Sequence, residues 1–344
     1  MTGIAYTSTD AAALWSAEVV KGPNGEKFVV SEKPRPNSAL EDAAAELSML
    51  LWFGAVCTLP LLFLFIVYTA VAWASKTAIT VLLGGVCFCF LPPGNLWQAY
   101  RRFELWWIWR RYFGCRLVTP PKPFLDPTKH YVFGEFPHAV YPLGSWLGLP
   151  LCGLPGTGLP ENLRGGIATV MFQLPVVRHN YAWAGCMPAD LKLMLQQLRT
   201  PGGCVSVMPE GIAGIFLTGD PAKESIFLSK RKGFVRMAIQ AGADLVPVYH
   251  AGVSQLLTFW GNERLSRRCR VTIGVFWGKW GLPLPRKHSI VTFVGKPIPV
   301  AQCNKPSDEE VDRVHALFTR EIMALFDAHK HLLPGWEAKK LHVV

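Results

Sequence analysis

A histidine stands where a short apolar run gives way to a turn: Tyr131-Val132-Phe133-Gly134-Glu135-Phe136-Pro137-His138-Ala139. Tyr131 to Phe133 favour a strand, and Gly134 and Pro137 break it. Strand ends in α/β sheets are where ligands and catalytic groups collect. An imidazole placed there can take a proton near neutral pH. A lone histidine is most often a packed one with its hydrogen bonds satisfied. Its company in the chain is what makes His138 a candidate base.

That company is mostly polar groups at the ends of apolar runs. Arg178 and His179 follow a largely apolar stretch, Ile167 to Val177, and either face the same pocket or pack beside it. Glu210 and Gly211 close Met208-Pro209-Glu210-Gly211 after the strand-like Cys204 to Met208. Arg231-Lys232-Gly233-Phe234 opens a helix, where N–H groups and two cations suit a phosphate; a solvated basic face is the ordinary alternative. His250 follows a buried strand and reads as structural. His329-Lys330-His331 reads as a solvated helix end, not a metal site. A serine hydrolase is disfavoured: Gly144-Ser145-Trp146-Leu147-Gly148 has the wrong spacing, and Gly252-Val253-Ser254-Gln255-Leu256 lacks the last glycine. Nine scattered cysteines without a CxxC pair indicate neither zinc nor a disulfide framework, and reduced thiols are expected.

The elements that must position these groups alternate. Ala189 to Leu198 reads as a helix, Leu245 to Tyr249 as a buried strand, and Lys232 to Gln240 as a helix closed by Gly242. Val271 to Trp277 and Ile290 to Val294 add strands. Ser307-Asp308-Glu309-Glu310 is a capping box, and Val311, Val314, Phe318 and Leu325 line one face of the helix it opens. The expectation is an α/β fold with a mixed, mostly parallel sheet covered by helices and preceded by a hydrophobic membrane hairpin.

That hairpin is read from charge. Half of the 344 residues are hydrophobic, and the net charge is +11; mean hydropathy is +0.23. Leu47 to Ala74 carries no charge, and a second uncharged run, Thr77 to Leu91, follows Ser75-Lys76. Two spans, or a hairpin returning to the same side, both fit, since the second run is short for a span. Phe63-Leu64-Phe65 in the first run reads as lipid-facing. Residues 1–46 hold four basic and seven acidic groups, so they read as a disordered acidic segment unsuited to signal or transit function. Residues 92–119 read as an aromatic, basic interfacial segment, with Trp and Tyr at headgroup level and arginines snorkelling to phosphate. A catalytic domain over 120–335 and a tail over 336–344 complete the division. The basic excess beyond residue 46 suits anionic phospholipid or coenzyme A. No nucleic-acid recognition motif is present.

Five motifs in one order then resemble the type-2 diacylglycerol acyltransferase family, which includes monoacylglycerol and wax-alcohol acyltransferases within the wider glycerolipid acyltransferase group. They are Phe133-Gly134 to His138, Pro175 to His179, Val207 to Gly211, Arg231 to Phe234, and Ala243-Asp244-Leu245-Val246-Pro247-Val248-Tyr249. The resemblance covers roughly residues 47–335. It implies His138 as the catalytic histidine, in a substrate pocket with Pro137, Arg178, His179 and Gly211. Members usually show His-Pro-His-Gly, whereas Phe136 and Ala139 flank the pair here. Wider glycerolipid acyltransferases place an aspartate five residues beyond the histidine, where Leu143 stands, so Glu135 and Glu210 become the candidate orienting acids. Type-2 members more often have Pro-Gly-Gly with a later glutamate where Gly214 stands, which suggests that the acid has moved to 210. Lysophospholipid acyltransferases clamp a phosphate with an arginine where Ala213 stands, so a neutral acceptor is implied. Arg231, Lys232, Gly233 and Phe234 are the implied acyl-CoA contacts.

The implied activity is acyl-CoA-dependent esterification of diacylglycerol to triacylglycerol, with no bound cofactor or metal. Monoacylglycerol or a long-chain alcohol are alternative acceptors, and a non-catalytic lipid-binding protein is the rival class. The implied address is the cytosolic side of the endoplasmic reticulum membrane, extending to lipid droplets. A homo-oligomer is left open.

Overall fold

The computed structural model describes residues 16–21, 27–32, 36–73, 75–92, 94–149, 157–174, 177–218, 223–269 and 272–344. Its centre is a nine-stranded sheet. The order is β1(Ser16–Lys21), β2(Lys27–Glu32), β3(Arg116–Thr119), β12(Val291–Val294), β9(Asp244–Ala251), β4(Tyr131–Phe136), β7(Cys204–Val207), β5(Leu163–Ile167) and β6(Cys186–Pro188). The pairings β3–β12, β9–β4, β4–β7, β7–β5 and β5–β6 are parallel. The β1–β2, β2–β3 and β12–β9 pairings are antiparallel. The sheet is therefore mixed and mostly parallel. All six residues of β4 are buried, which suits a central parallel strand covered on both faces.

On one face, Val132 and Phe136 of β4 pack with α9(Gly233–Ala241) and α11(Asp308–His329), whose Val311, Val314, Phe318 and Ile322 form one stripe. Ser307 caps α11 by accepting from the Glu310 N–H at 3.2 Å, as the capping box predicts. On the other face, Tyr131 and Phe133 join a second core.

The N-terminal part departs from expectation. Within residues 1–46, Ser16–Lys21 and Lys27–Glu32 pair and extend the sheet edge through β3, so these two stretches are strands. Helix α1 runs Ala39–Ala72 and starts well before Leu47. Ser38 and Glu41 form a reciprocal cap: the Ser38 hydroxyl accepts from the Glu41 N–H, and the Glu41 carboxylate accepts from the Ser38 N–H. Acids read as a loose leader have partners on the body. Glu41 pairs with Arg111 at 2.9 Å, Glu46 with Lys279 at 2.5 Å, and Asp42 with Lys287.

Helix α1 packs against α2(Lys76–Phe90). Leu64 and Phe65 are exposed on α1, as are Val81 and Leu83 on α2. Among the described residues no helix is long and apolar enough to cross a membrane.

The segment 92–119 also differs. Its helices are α3(Gln98–Arg101) and α4(Glu104–Tyr112). Trp106, Trp109, Tyr112 and Phe113 are core residues packed with Met49 and Phe53 of α1. Arg111 is held by Glu41 and Glu104, and the Arg110 guanidinium lies 5.3 Å from the Trp107 ring centroid. These aromatics and arginines are bound within the protein, because α1 covers them. The last residues are not a free tail: β13(Leu341–Val343) pairs in parallel with β8(Glu224–Ile226).

Candidate active site

Adjacent parallel strands β4 and β7 finish on the same side of the sheet, β7 at Val207 opposite Gly134 and β4 two residues further on at Phe136. The chain leaving β4 therefore brings His138 beside Glu210, which leaves β7. Glu210 is fully buried. One carboxylate oxygen accepts from the backbone N–H of His138, and the other accepts from the Phe227 N–H at 2.7 Å. Burial pushes the Glu210 carboxyl up to about 7, against the pull of those two donors. Glu210 thus fixes the backbone of His138.

The His138 ring has a different partner. Its Nδ1 lies 2.9 Å from the Ala139 carbonyl oxygen, its one side-chain hydrogen bond to another residue among those described. A carbonyl only accepts, so Nδ1 carries the hydrogen and Nε2 keeps its lone pair. Desolvation lowers the imidazole below its ordinary 6.5, leaving the ring neutral at pH 7. Ala139 is in the left-handed region at φ 54°, where glycine is favoured. That conformation accompanies the turn of its carbonyl to the ring.

The two acids expected to orient the ring do neither. Glu135 points to the other side of the strand and meets His250 Nε2 at 2.9 Å, while His250 Nδ1 lies 3.0 Å from the Thr292 hydroxyl. This buried Glu135–His250–Thr292 row spans β4, β9 and β12. Leu143 is a core residue, and the hydrogen-bond partner of Nδ1 is a main-chain carbonyl.

Gly211 follows Glu210 at φ 55° and ψ −143°, a conformation nearly exclusive to glycine, and starts the short helix α8(Ile212–Phe216). A Cβ on Gly214 would fall 2.7 Å from the Glu210 Cβ and 2.8 Å from Oε2. The Glu210 side chain thus fills the space that a residue at 214 would need. Ala213 is buried.

The remaining expected contacts separate. The Arg231 guanidinium donates to the Glu210 carbonyl at 2.8 Å and lies 5.0 Å from the Phe227 ring centroid. Arg267, which the sequence did not single out, shares that ring at 5.6 Å. Lys232 instead pairs with Asp312 at the surface, Gly233 is exposed, and Phe234 is core, 5.0 Å from the Phe318 ring. Helix α6(Val177–Trp183) carries the last two candidates. Arg178 donates to the Leu91 carbonyl at 3.0 Å, and buried His179 packs its ring on Trp183. Pro137 is buried beside His138; Pro175 lies outside the described residues. No group of residues that could hold a metal ion is present among the described residues.

These features define a class: a mixed, mostly parallel α/β sheet with a neutral histidine held by main-chain groups just beyond a strand end. The pattern of the diacylglycerol acyltransferase family matches residues 92–343. Diacylglycerol O-acyltransferase 2 of Xenopus tropicalis is 31% identical over 268 residues, covering 71% of this chain and 72% of that protein. Human 2-acylglycerol O-acyltransferase 3 is 33% identical over 258 residues, covering 69% and 74%. The chain belongs to the diacylglycerol acyltransferase family and is an acyltransferase. A crystal structure of the 1-acyl-sn-glycerophosphate acyltransferase of Thermotoga maritima aligns with a TM-score of 0.37 at 15% identity, over 77% of this chain and 96% of that one, and carries no argument here.

Proposed function

We propose that the chain transfers the acyl group of an acyl-CoA thioester to the free hydroxyl of diacylglycerol, forming triacylglycerol, with His138 as general base. The observation that carries this reading is the neutral ring of His138, its Nδ1–H held by the Ala139 carbonyl and its Nε2 left to accept a proton. In the first step Nε2 takes the acceptor proton as the hydroxyl oxygen attacks the thioester carbonyl. The tetrahedral adduct then collapses, the C–S bond breaks, and the imidazolium returns its proton to the departing thiolate. A positioned base contributes roughly 10²–10⁴-fold to such a step. Arg231, with Arg267 near it, is the proposed contact for a phosphate of the donor.

The acceptor is proposed to arrive from lipid, on the cytosolic side of the endoplasmic reticulum membrane and at lipid droplets. Support comes from the exposed apolar side chains of α1 and α2, whose anchored end, at Phe53, meets Tyr141 just beyond His138 at 4.8 Å between ring centroids. At 1.5 Å per residue, the 15-residue α2 is about 22 Å long, which suits a hairpin returning to its own side better than a span. A 2-acylglycerol acceptor is the second reading, favoured by the 33% identity to the human 2-acylglycerol enzyme.

The test uses the purified full chain in phospholipid micelles with labelled acyl-CoA and a panel of acceptors: diacylglycerol, 2-acylglycerol, a long-chain alcohol and lysophosphatidate. Triacylglycerol should be the main product. His138→Ala should cut its formation at least about 10²-fold at an unchanged melting temperature. Lysophosphatidate should be poor, because buried Ala213 offers its phosphate no partner. Ester formation that survives His138→Ala would remove the mechanism, and a preference for lysophosphatidate would remove the acceptor assignment.

A further inference from the structure

Strands β10(Thr258–Gly261) and β11(Gly274–Trp277) form a two-stranded ribbon outside the main sheet. Its register sets Phe259 opposite Phe276 and Trp260 opposite Val275. Alternation gives each pair a face of its own. The Phe259 face is inward: its ring meets Phe216 of α8 edge-on at 5.1 Å, and Phe276 packs on the aromatic core. A ribbon with one face packed on the protein and the other in water would show polar residues on the watered face. Here Trp260 is 70% exposed and Val275 57%. Trp280, 73% exposed, follows close after the ribbon. Single exposed apolar residues are ordinary, but a ribbon apolar on both faces is not.

The charge along this stretch of sequence is one-sided, although Lys279 and Lys287 are paired with Glu46 and Asp42 of α1. Between residues 258 and 290 the single acid is Glu263, against seven lysines and arginines. Glu263 itself is paired with Arg267 at 2.6 Å in α10(Glu263–Cys269), which joins the two strands. Arg264 and Arg268, one helical turn apart, are exposed. The Lys279 ammonium stands 4.2 Å from the Trp280 ring centroid. Tryptophan interleaved with cations suits the headgroup layer, where the ring meets acyl carbons and the charge meets phosphate.

The ribbon is also tied to both ends of the proposed reaction path. Lys279 bonds Glu46 of α1, the helix that carries exposed Leu64 and Phe65. The helix beneath Phe259, α8, begins two residues after Glu210.

We propose that the ribbon is a second membrane-docking element: its Trp260–Val275 face beds into the surface of an anionic phospholipid bilayer and holds the mouth of the site at the lipid. This rests on the reading that α1 and α2 lie in lipid, and not on which acceptor is used. The test is a polarity-sensitive thiol probe on the full chain in phosphatidylcholine vesicles containing phosphatidylglycerol. Three labelled proteins are compared: Val275→Cys, Leu64→Cys on α1, and native Cys303, which is exposed and far along the chain. Other reactive thiols are replaced by serine in each. The Val275→Cys label should be quenched by brominated acyl chains and protected from aqueous iodide, with the Cys303 label showing the reverse. Arg264→Gln with Arg268→Gln should then reduce the lipid quenching at Val275→Cys, since each cation near an anionic surface contributes to docking. Quenching of Leu64→Cys alone would overturn the ribbon proposal and leave the helix pair in lipid. Lipid quenching at neither position would overturn both. Cross-linking between two Val275→Cys chains, without lipid quenching, would mean that a second copy covers the face and would also overturn it.

Discussion

The carboxylate of Glu210 holds the main chain of His138, 72 residues earlier, and leaves its ring alone. Orientation of the ring and placement of its backbone are thus two separate tasks. The Ala139 carbonyl performs the first and Glu210 the second. Both contacts converge on His138.

This division predicts a pH signature. Activity should rise as His138 loses its proton below 6.5, and rise again through about 7 as Glu210 becomes the carboxylate that two N–H groups prefer. Stability runs the other way. The raised carboxyl favours the folded state fully below its ordinary 4.5, and that contribution is lost as pH rises through about 7. A shift of this size corresponds to about 3 kcal/mol. Glu210→Gln should remove the upper step of kcat/KM and flatten the stability profile relative to wild type, as measured by rate profiles and denaturant melts across that range. An unchanged upper step would assign it to another group.

The space shared by Glu210 and Gly214 predicts a reciprocal rescue. Glu210→Gly should cost about 1–3 kcal/mol for each N–H left buried without a partner. Gly214→Glu should also destabilise, because its Cβ would strike Glu210. Combined, the two changes move the acid by four residues into the same space. The double variant should then be more stable and more active than either single one. Additive losses in the double-mutant cycle would show that the two positions do not share a role.

Ala139 sits where its own Cβ is unwelcome. A left-handed residue other than glycine costs roughly 1–2 kcal/mol, of which glycine's extra chain entropy returns about 0.5–1. Ala139→Gly should therefore leave stability unchanged or raise it by up to about 1 kcal/mol, with activity retained, since the carbonyl to Nδ1 remains. Ala139→Val should lower both. Urea midpoints and initial rates measure the contrast.

Arg231 and Lys232, adjacent in sequence, should behave differently. Lys232→Gln removes an exposed pair with Asp312, worth at most about 1 kcal/mol, and should leave the KM for acyl-CoA nearly unchanged. Arg231→Gln should raise that KM severalfold more than the KM for the acceptor. Equal effects of the two substitutions on donor KM would count against a phosphate contact at Arg231.

The strands carrying His138 and Glu210 were legible because each is a short apolar run cut by glycine or proline, a purely local signal. The closing helix announced itself through Ser307 and Glu310 in the same way. What escaped depended on partners far along the chain. Glu41 looks like part of a loose acidic leader until Arg111, 70 residues on, is placed against it. Trp106 and Trp109 look interfacial until Met49 and Phe53 cover them. The Ser38–Glu41 cap was a local signal and should have moved the helix start. The ring partner of His138 had no side-chain signature at all, because the acceptor is a backbone carbonyl. The strand within Val271 to Trp277 was legible, but its pairing with Thr258–Gly261 and its outward face were not, since a strand's alternation does not say which face is outward.

The strand Leu341–Val343 clasps the segment that leads into the candidate site. Val344 accepts from the N–H groups of Leu228 and Ser229, and Leu341–Val343 lies along Glu224–Ile226, immediately before the residue whose N–H holds Glu210. The seat of Glu210 is thus braced by a strand far from it in sequence. Loosening Leu341–Val343 would slacken the hold on the acid without touching it, so a change at this remote clasp would be felt at His138.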